Sequence, residues 1–428
     1  MFDYQKQIAD LSLSPETIDK IQISRNDEEL KIFALSLPQL KEPDSYIIAG
    51  RILIYLSVKT SPKKIEDYVS ILVNVLNKYT QTFMLKNKEN INKLLEETYD
   101  YNFKNYNILS ASACLIYLIS ITKDDPPVET PCQMFLRIAV QLYHNDTFED
   151  VKKCYMEMLE QKYVHASPTM FNAGKVKNQM ASCFLLTLGD SLDSLLYTGC
   201  GDVGKISALQ GGIGLSMSAI RNSAISNQGK SSGVLPFGKI FDATIMCVNQ
   251  GGKRNGAMTI TLNDWHIDFI DFIQTRDNFT QNGIRFKQAN ICAFITNLFM
   301  KRVRENKDWT MFCPATAKLA GESLLEKNGQ DFEDLYVKLE VEAYKRKKEF
   351  DLFCQELKVL EKEVNSRDVD EKFLEDYHQK HFQKIQMRKN LIDFKCVNAR
   401  DIYNLICDMN VKSGMPYIVY RDPVNYKN

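Results

Sequence analysis

Three short apolar runs limit what this chain can become more than any other feature: Ala181–Leu186, Ala257–Leu262 and Ala289–Ile295 each read as a strand. Glycine-bearing turns and helix-spaced sequence separate them, and strands that alternate with helical patterns build parallel βαβ units. Upstream, from about Pro15 to Tyr163, the apolar residues recur at helical spacing, as in Ile47, Ile48, Ile52, Leu53 and Leu56, or Ile71, Leu72, Val75 and Leu76. The expected class is therefore α/β behind an all-helical region, with a helical N-terminal domain over 1–164 and an α/β domain over 165–333. A densely charged stretch, 334–392, places Phe353, Leu357, Leu360 and Val364 on one face of a helix and reads as an inserted helical hairpin. The segment 393–428 resumes with an amphipathic helix at Asp401–Met409 and a strand at Pro416–Tyr420, with no helix expected after it.

Composition excludes more than it selects. The 428 residues are 44% hydrophobic and 25% charged, with 54 basic and 54 acidic residues, so the balance directs the chain to neither nucleic acid nor membrane. The eleven cysteines occur singly, without a C-x-x-C pair or a Cys/His zinc spacing, and no signal peptide is read at Met1–Tyr4. No metal site is expected, and a reducing, cytoplasmic setting fits best. The most apolar stretch, Ile108–Ser120, is too short and too serine-interrupted to span a bilayer and reads as a buried helix.

Three glycine-bearing segments carry the candidate chemistry. Gln210-Gly211-Gly212-Ile213-Gly214 would let a ligand approach the main chain, or is simply a tight turn. The loop Asn249–Ala257 sets Lys253 and Arg254 beside backbone donors that suit a phosphate or a base edge; a solvated basic turn is the plainer reading. His165–Gly174 reads as a fixed loop that presents Ser167 and Thr169 to a polar ligand, or as a structural Ser/Thr turn, and His165 as a satisfied buried histidine rather than a general base. Cys183, alone in an apolar strand, has the ordinary character of an inert small hydrophobe.

Taken together and in order, H-A-S-P-T-M-F-N-A-G, S-C-F-L-L, G-D-S-L, G-G-I-G, Q-G-G-K-R-N-G-A, W-H-I-D-F-I-D-F and N-L-F-M-K-R-V resemble the large, catalytic subunit of class I ribonucleotide reductases. The likeness runs from about Ser45 to Asn428, interrupted by the charged stretch. It implies that the α/β region is the first half of a ten-stranded α/β barrel. It implies an oxidoreductase that converts ribonucleoside diphosphates to deoxyribonucleotides for DNA synthesis, re-reduced by thioredoxin or glutaredoxin. Cys183 corresponds to the first of two cysteines that reduce the ribose and then form a disulfide, while Ser167, Ser182 and Gly212 match substrate-holding positions. A second site for a deoxynucleoside triphosphate or ATP, at a homodimer interface, would use Asp190, Ser191 and Leu192 for the nucleoside and Arg221 for phosphate. Gln250 and Arg254 would relay effector identity to the substrate. No tightly bound cofactor is implied in this chain, because a small radical-generating subunit supplies the radical.

Two departures from the pattern shape the expectation. Met1–Asp44 is shorter than the family's ATP-cone and lacks its V-x-K-R-D-G start, so an overall activity site is not expected. The radical-cysteine motif N-x-C-x-E is missing: Asn290-Ile291-Cys292-Ala293-Phe294 has Phe294 in the carboxylate position, and Lys395-Cys396-Val397-Asn398 fails as well. The chain thus reads as the N-terminal half of a catalytic subunit, working with a second polypeptide that carries the rest. The other reading is a catalytically inactive nucleotide-binding and dimerisation module that regulates another reductase.

Overall fold

The computed structural model describes all residues except 1–3, 24, 41, 123–124, 210, 226–228, 249–255, 278–282, 367–370 and 428. It divides into two compact units, Met1–Ser182 and Cys183–Asn428. The division falls later than the expected 164/165 boundary because the Ser167–Asn172 segment belongs to the helical unit. Arg137, fully buried there, donates to the carbonyls of Met170, at 3.2 Å, and Ala173.

The first unit is helical, and its helices begin where the sequence offers caps. Thr130 and Gln133 form a reciprocal capping box ahead of Pro131–Tyr143, and Thr147 with Asp150 does the same for Phe148–Leu159. Pro43–Val58 packs against Ile108–Tyr117, and Gly50 makes this possible, since a Cβ there would collide with the backbone of Asn107. Ile108–Tyr117 is a helix, as expected, yet not a buried one. It buries Ala111 and Cys114, whereas Leu109 is 73% exposed. One face packs and the other is open, so its all-round apolar character does not report all-round burial. Among the described residues, no helix is long and apolar enough to cross a membrane.

The second unit is built on a parallel five-stranded sheet in the order β1-β2-β3-β4-β7, with β1 at Cys183–Thr187, β2 at Gly212–Ser216, β3 at Met258–Asn263, β4 at Asn290–Ile295 and β7 at Tyr417–Tyr420. Helices Cys200–Ala208, Val234–Cys247 and Phe269–Ile273 connect successive strands, as parallel pairing requires. β5 (Asp308–Phe312) and β6 (Phe394–Asn398) form a separate antiparallel pair, with the charged region between them. This is the expected α/β class behind a helical region. The strand β2 corrects the tight-turn reading of G-G-x-G: Gly212 and Gly214 lie in extended strand backbone. Their neighbours explain the small residues, because a Cβ on Gly211 would stand 2.7 Å from the Phe184 ring and one on Gly214 would stand 2.7 Å from Leu185 Cδ2.

The charged region is a pair of helices, Gly329–Ser366 and Glu371–Lys389, that pack on each other. Leu357 is buried on the expected face, with Phe353, Leu360 and Val364 half-buried beside it. The opening turns of the first helix are core rather than insertion: Phe332, Leu335, Tyr336 and Leu339 join the sheet unit's main cluster. There Tyr336 stacks on Trp309 at 4.5 Å between ring centroids. A further departure comes after β7, where a short helix, Arg421–Lys427, follows directly. Buried Arg421 anchors it by donating to the carbonyls of Leu324 and Lys327 at 3.1 and 2.6 Å.

Candidate functional site

Cys183 is the first residue of β1, and parallel pairing sets it opposite Gly212 of β2. Paired residues in adjacent strands project to the same face, so the thiol's lateral neighbour has no side chain. β1 is an edge strand with alternating exposure, and Cys183 is exposed, whereas Cys292 in the core is buried. Cys183 therefore does not pack as the small hydrophobe that its apolar strand suggests. Cys292, in mid-β4, has its thiol pKa raised by burial and stays protonated; Cys396 lies in the separate β5–β6 pair.

Ser182, half-buried, closes the helical unit immediately before Cys183 in the chain. Ser167, in that same unit, begins a short helix instead of the expected fixed loop, and its Oγ lies 3.3 Å from the Tyr117 hydroxyl. Thr169 is not presented to any ligand: it is buried and donates to the Met180 carbonyl at 3.3 Å. Gly174 is a required glycine, since its φ is +75° and a Cβ would sit 2.7 Å from Arg137 Cγ. His165 is half-buried, burial lowers its pKa, and its Nε2 is buried without a hydrogen-bond partner among the described residues, which corrects the satisfied-histidine reading.

In the sheet unit the structure brings Asp190 and Arg221 together. Arg221 donates from Nε to Asp190 Oδ2 at 2.5 Å and from its backbone N–H to Oδ1 at 3.1 Å. Ser191 accepts from the Ser194 backbone at 3.1 Å, while Ser194 Oγ accepts from Gly189 N at 2.8 Å, fixing the entry into the wide helical turn Asp193–Gly199. Leu192, which caps that turn, and Tyr197 within it point outward, at 63% and 78% exposure. Gln250 and Arg254 lie outside the described residues.

The arm that holds Arg221 depends on residues for which no role was read from sequence. His266, fully buried, donates from Nε2 to the Ile220 carbonyl at 2.8 Å and accepts from Asp268 N at Nδ1, at 3.1 Å, so one neutral tautomer is fixed. Burial lowers its pKa and keeps it neutral. Asp268 accepts from Asn222 Nδ2 and from Val234 N, the latter at 3.0 Å at the head of the Val234–Cys247 helix. Both sit in the W-H-I-D segment already singled out; the available signal was a polar pair inside an apolar run. Among the described residues, no group of three or more His, Cys, Asp or Glu is arranged to hold a metal ion.

Two family models match the chain. One described as ribonucleotide reductase, all-alpha domain, covers residues 116–178, and one described as ribonucleotide reductase, barrel domain, covers residues 181–358. Among curated proteins, the ribonucleoside-diphosphate reductase large subunit of Danio rerio is 32% identical over 91% of this chain. Those of Caenorhabditis elegans and Plasmodium falciparum (isolate Dd2) are each 28% identical, over 91% and 90% of it. The chain spans less than half the length of these relatives, 44%, 44% and 43% respectively.

Proposed function

This chain belongs to the ribonucleotide reductase large-subunit family, and from that premise we propose that it supplies the reducing thiol and the effector-binding arm of a ribonucleoside-diphosphate reductase. The observation that carries the reading is the strand register. An exposed Cys183 faces a side-chain-free Gly212 at the same end of adjacent parallel strands, which leaves room for a ribose beside the sulfur. In the proposed reaction the substrate loses its 2′-hydroxyl as water, and Cys183 with a second thiol delivers the two electrons by becoming a disulfide. Thioredoxin or glutaredoxin then re-reduces that disulfide. By resemblance to the family, Ser167 and Ser182 of the helical unit, and separately the Gly212 main chain of the sheet unit, are assigned to substrate binding.

The carboxylate of Asp190 accepts from the nucleoside of a deoxynucleoside triphosphate or ATP, with Ser191 and Leu192 beside it. The triphosphate competes with Asp190 for the Arg221 guanidinium, whose fork suits phosphate as well as carboxylate. Gln250 and Arg254 pass the effector's identity to the substrate site. A homodimer contact through the exposed Leu192 and Tyr197 side completes the effector site, and a small subunit supplies the radical. Thiol chemistry of this kind suits a reducing cytoplasm.

A second polypeptide bearing the N-x-C-x-E motif brings the radical cysteine and the carboxylate. The test combines residues 1–428 with such a polypeptide, the small subunit and a dithiol, and measures deoxyribonucleotide formation. Turnover that disappears in Cys183→Ser supports the reading. The alternative, a regulatory nucleotide-binding module, is favoured by the Asp190–Arg221 pair beside exposed Leu192 and Tyr197. Effector binding without turnover in the complete mixture would select it.

A further inference from the structure

The two helices of the charged region run antiparallel. Arg346 in Gly329–Ser366 donates to the Asn390 carbonyl at 2.9 Å, and His381 Nε2 in Glu371–Lys389 lies 3.5 Å from Glu361 Oε1. Leu357 is buried, with Phe353 and Leu360 half-buried on the same side of the longer helix. A second apolar row on that helix has no such cover. Val341, Leu352 and Val359 are each at least half exposed and recur at intervals of eleven and seven residues, which return to one side of a helix within about 20°. Lys345, Lys348 and Gln355, all exposed, fill the spacing, so the row has the four-then-three step of a coiled-coil seam. Scattered exposed apolar side chains are ordinary, whereas an aligned row with seam spacing suits another helix.

Charge decides which helix. Beyond the core residue Leu339, the near half of the pair, 340–354 with 377–390, carries eight basic and four acidic side chains. The far half, 355–364 with 371–376, carries six acidic and three basic ones. A surface that reverses sign along its length complements itself when turned end for end, and repels along one half any partner of a single charge. Paired in the same direction, Lys345 and Lys348 would meet their own copies. About a two-fold axis at Leu352, residue 348 instead comes level with 356, and 345 with 359. Lys348 then meets Glu356, both exposed, twice in one interface, and the aliphatic stem of Lys345 covers Val359.

We propose that Gly329–Ser366 pairs antiparallel with the same helix of a second copy of this chain, Leu352 on Leu352 and Lys348 on Glu356. The contact uses neither Leu192 nor Tyr197 and does not rest on the proposed function.

The test is sedimentation velocity of the 428-residue chain over a concentration series, with carbodiimide cross-linking of an equimolar mixture of isotope-labelled and unlabelled chains. The wild type should show a self-association step that Leu352→Glu removes. Lys348→Glu and Glu356→Lys should each weaken that step about tenfold, and their equimolar mixture should recover it, because each reversed charge then meets its opposite. Mass spectrometry should find Lys348 joined to Glu356 between labelled and unlabelled chains. Association through any other face persists in every variant. A wild type without the step overturns the proposal, as does a step that Leu352→Glu leaves unchanged or a mixture no stronger than either variant alone. Should Leu352→Glu fail to fold by circular dichroism, the mixture and the cross-link decide the matter.

Discussion

Asp264 shows how one side chain sets a pH response for the whole sheet unit. It is fully buried, accepts from Thr296 N and Oγ1 at 2.6 and 2.9 Å through one oxygen, and has no partner on the other among the described residues. Burial raises its pKa to about 7 despite those bonds and the nearby Arg421. The folded state therefore holds the proton more tightly than the unfolded chain, whose carboxyl titrates near 3.8. Its contribution to stability is full below that lower value and is lost as pH rises through about 7. Urea midpoints should fall between pH 5 and pH 8, and Asp264→Asn should flatten that slope and raise the pH 8 midpoint; an unchanged slope would refute the assignment. On the proposed function, Arg221→Ala removes the guanidinium that meets the effector's phosphate, and equilibrium dialysis should show deoxynucleoside triphosphate affinity falling by about tenfold or more. The Asp190–Arg221 contact spans 31 positions in sequence. No local periodicity announces it; only the family resemblance brought the two residues forward together.

Elements were legible where their period was clean and hidden where a short residue masked it. β1, β3, β4 and β7 announced themselves as apolar runs. β2 did not, because Gly212 and Gly214 carry a turn's composition while Ile213, Leu215 and Met217 keep a strand's alternation beneath it. The charged helices were visible from composition, but their root was not: Arg302 grips Glu340 through two bonds of 2.9 and 2.7 Å, and Phe332 and Tyr336 join the core. Replacing 355–384 by a short Gly-Ser linker should thus leave the melting temperature of the sheet unit within a few degrees, since loop closure changes only slowly with length. A calorimetric loss of the sheet transition would show that the outer turns matter. The helical unit has the opposite character at its centre. Arg137 and Glu129 are both fully buried, paired at 2.7 Å, with Tyr68 donating to the same carboxylate at 2.7 Å. Arg137→Met strands Glu129 and should cost about 3–5 kcal/mol in urea unfolding, whereas Arg137→Met with Glu129→Leu should cost less.

At the scale of the molecule, the sheet's two edges govern what the described strands can do alone. β1 ends the sheet on one side, with Leu185 at 90% exposure, and β7 ends it on the other, with Tyr417, Ile418 and Tyr420 exposed. Parallel strands are stable when both faces and edges are covered, and open apolar edges invite further pairing. On the proposed function, the covering strands come from the polypeptide that carries the radical cysteine, so assembly and catalysis should appear together. Residues 1–428 by themselves should reduce no ribonucleotide even with a small subunit and dithiol present, because no N-x-C-x-E motif stands in this sequence to take the ribose hydrogen. Positioning of the reacting groups accounts for several kcal/mol of such barriers, roughly 7–11 at the upper end, and a buried, protonated Cys292 does not replace it. Adding the complementing polypeptide should restore turnover and, in the same sample, slow amide exchange across Tyr417–Tyr420 as that edge gains a neighbour. Cys183→Ser should keep the exchange protection and lose the turnover. Protection without turnover in the wild-type mixture would separate assembly from chemistry and favour the regulatory module. Turnover without protection would mean that the second polypeptide reaches the thiol by some route other than the β7 edge.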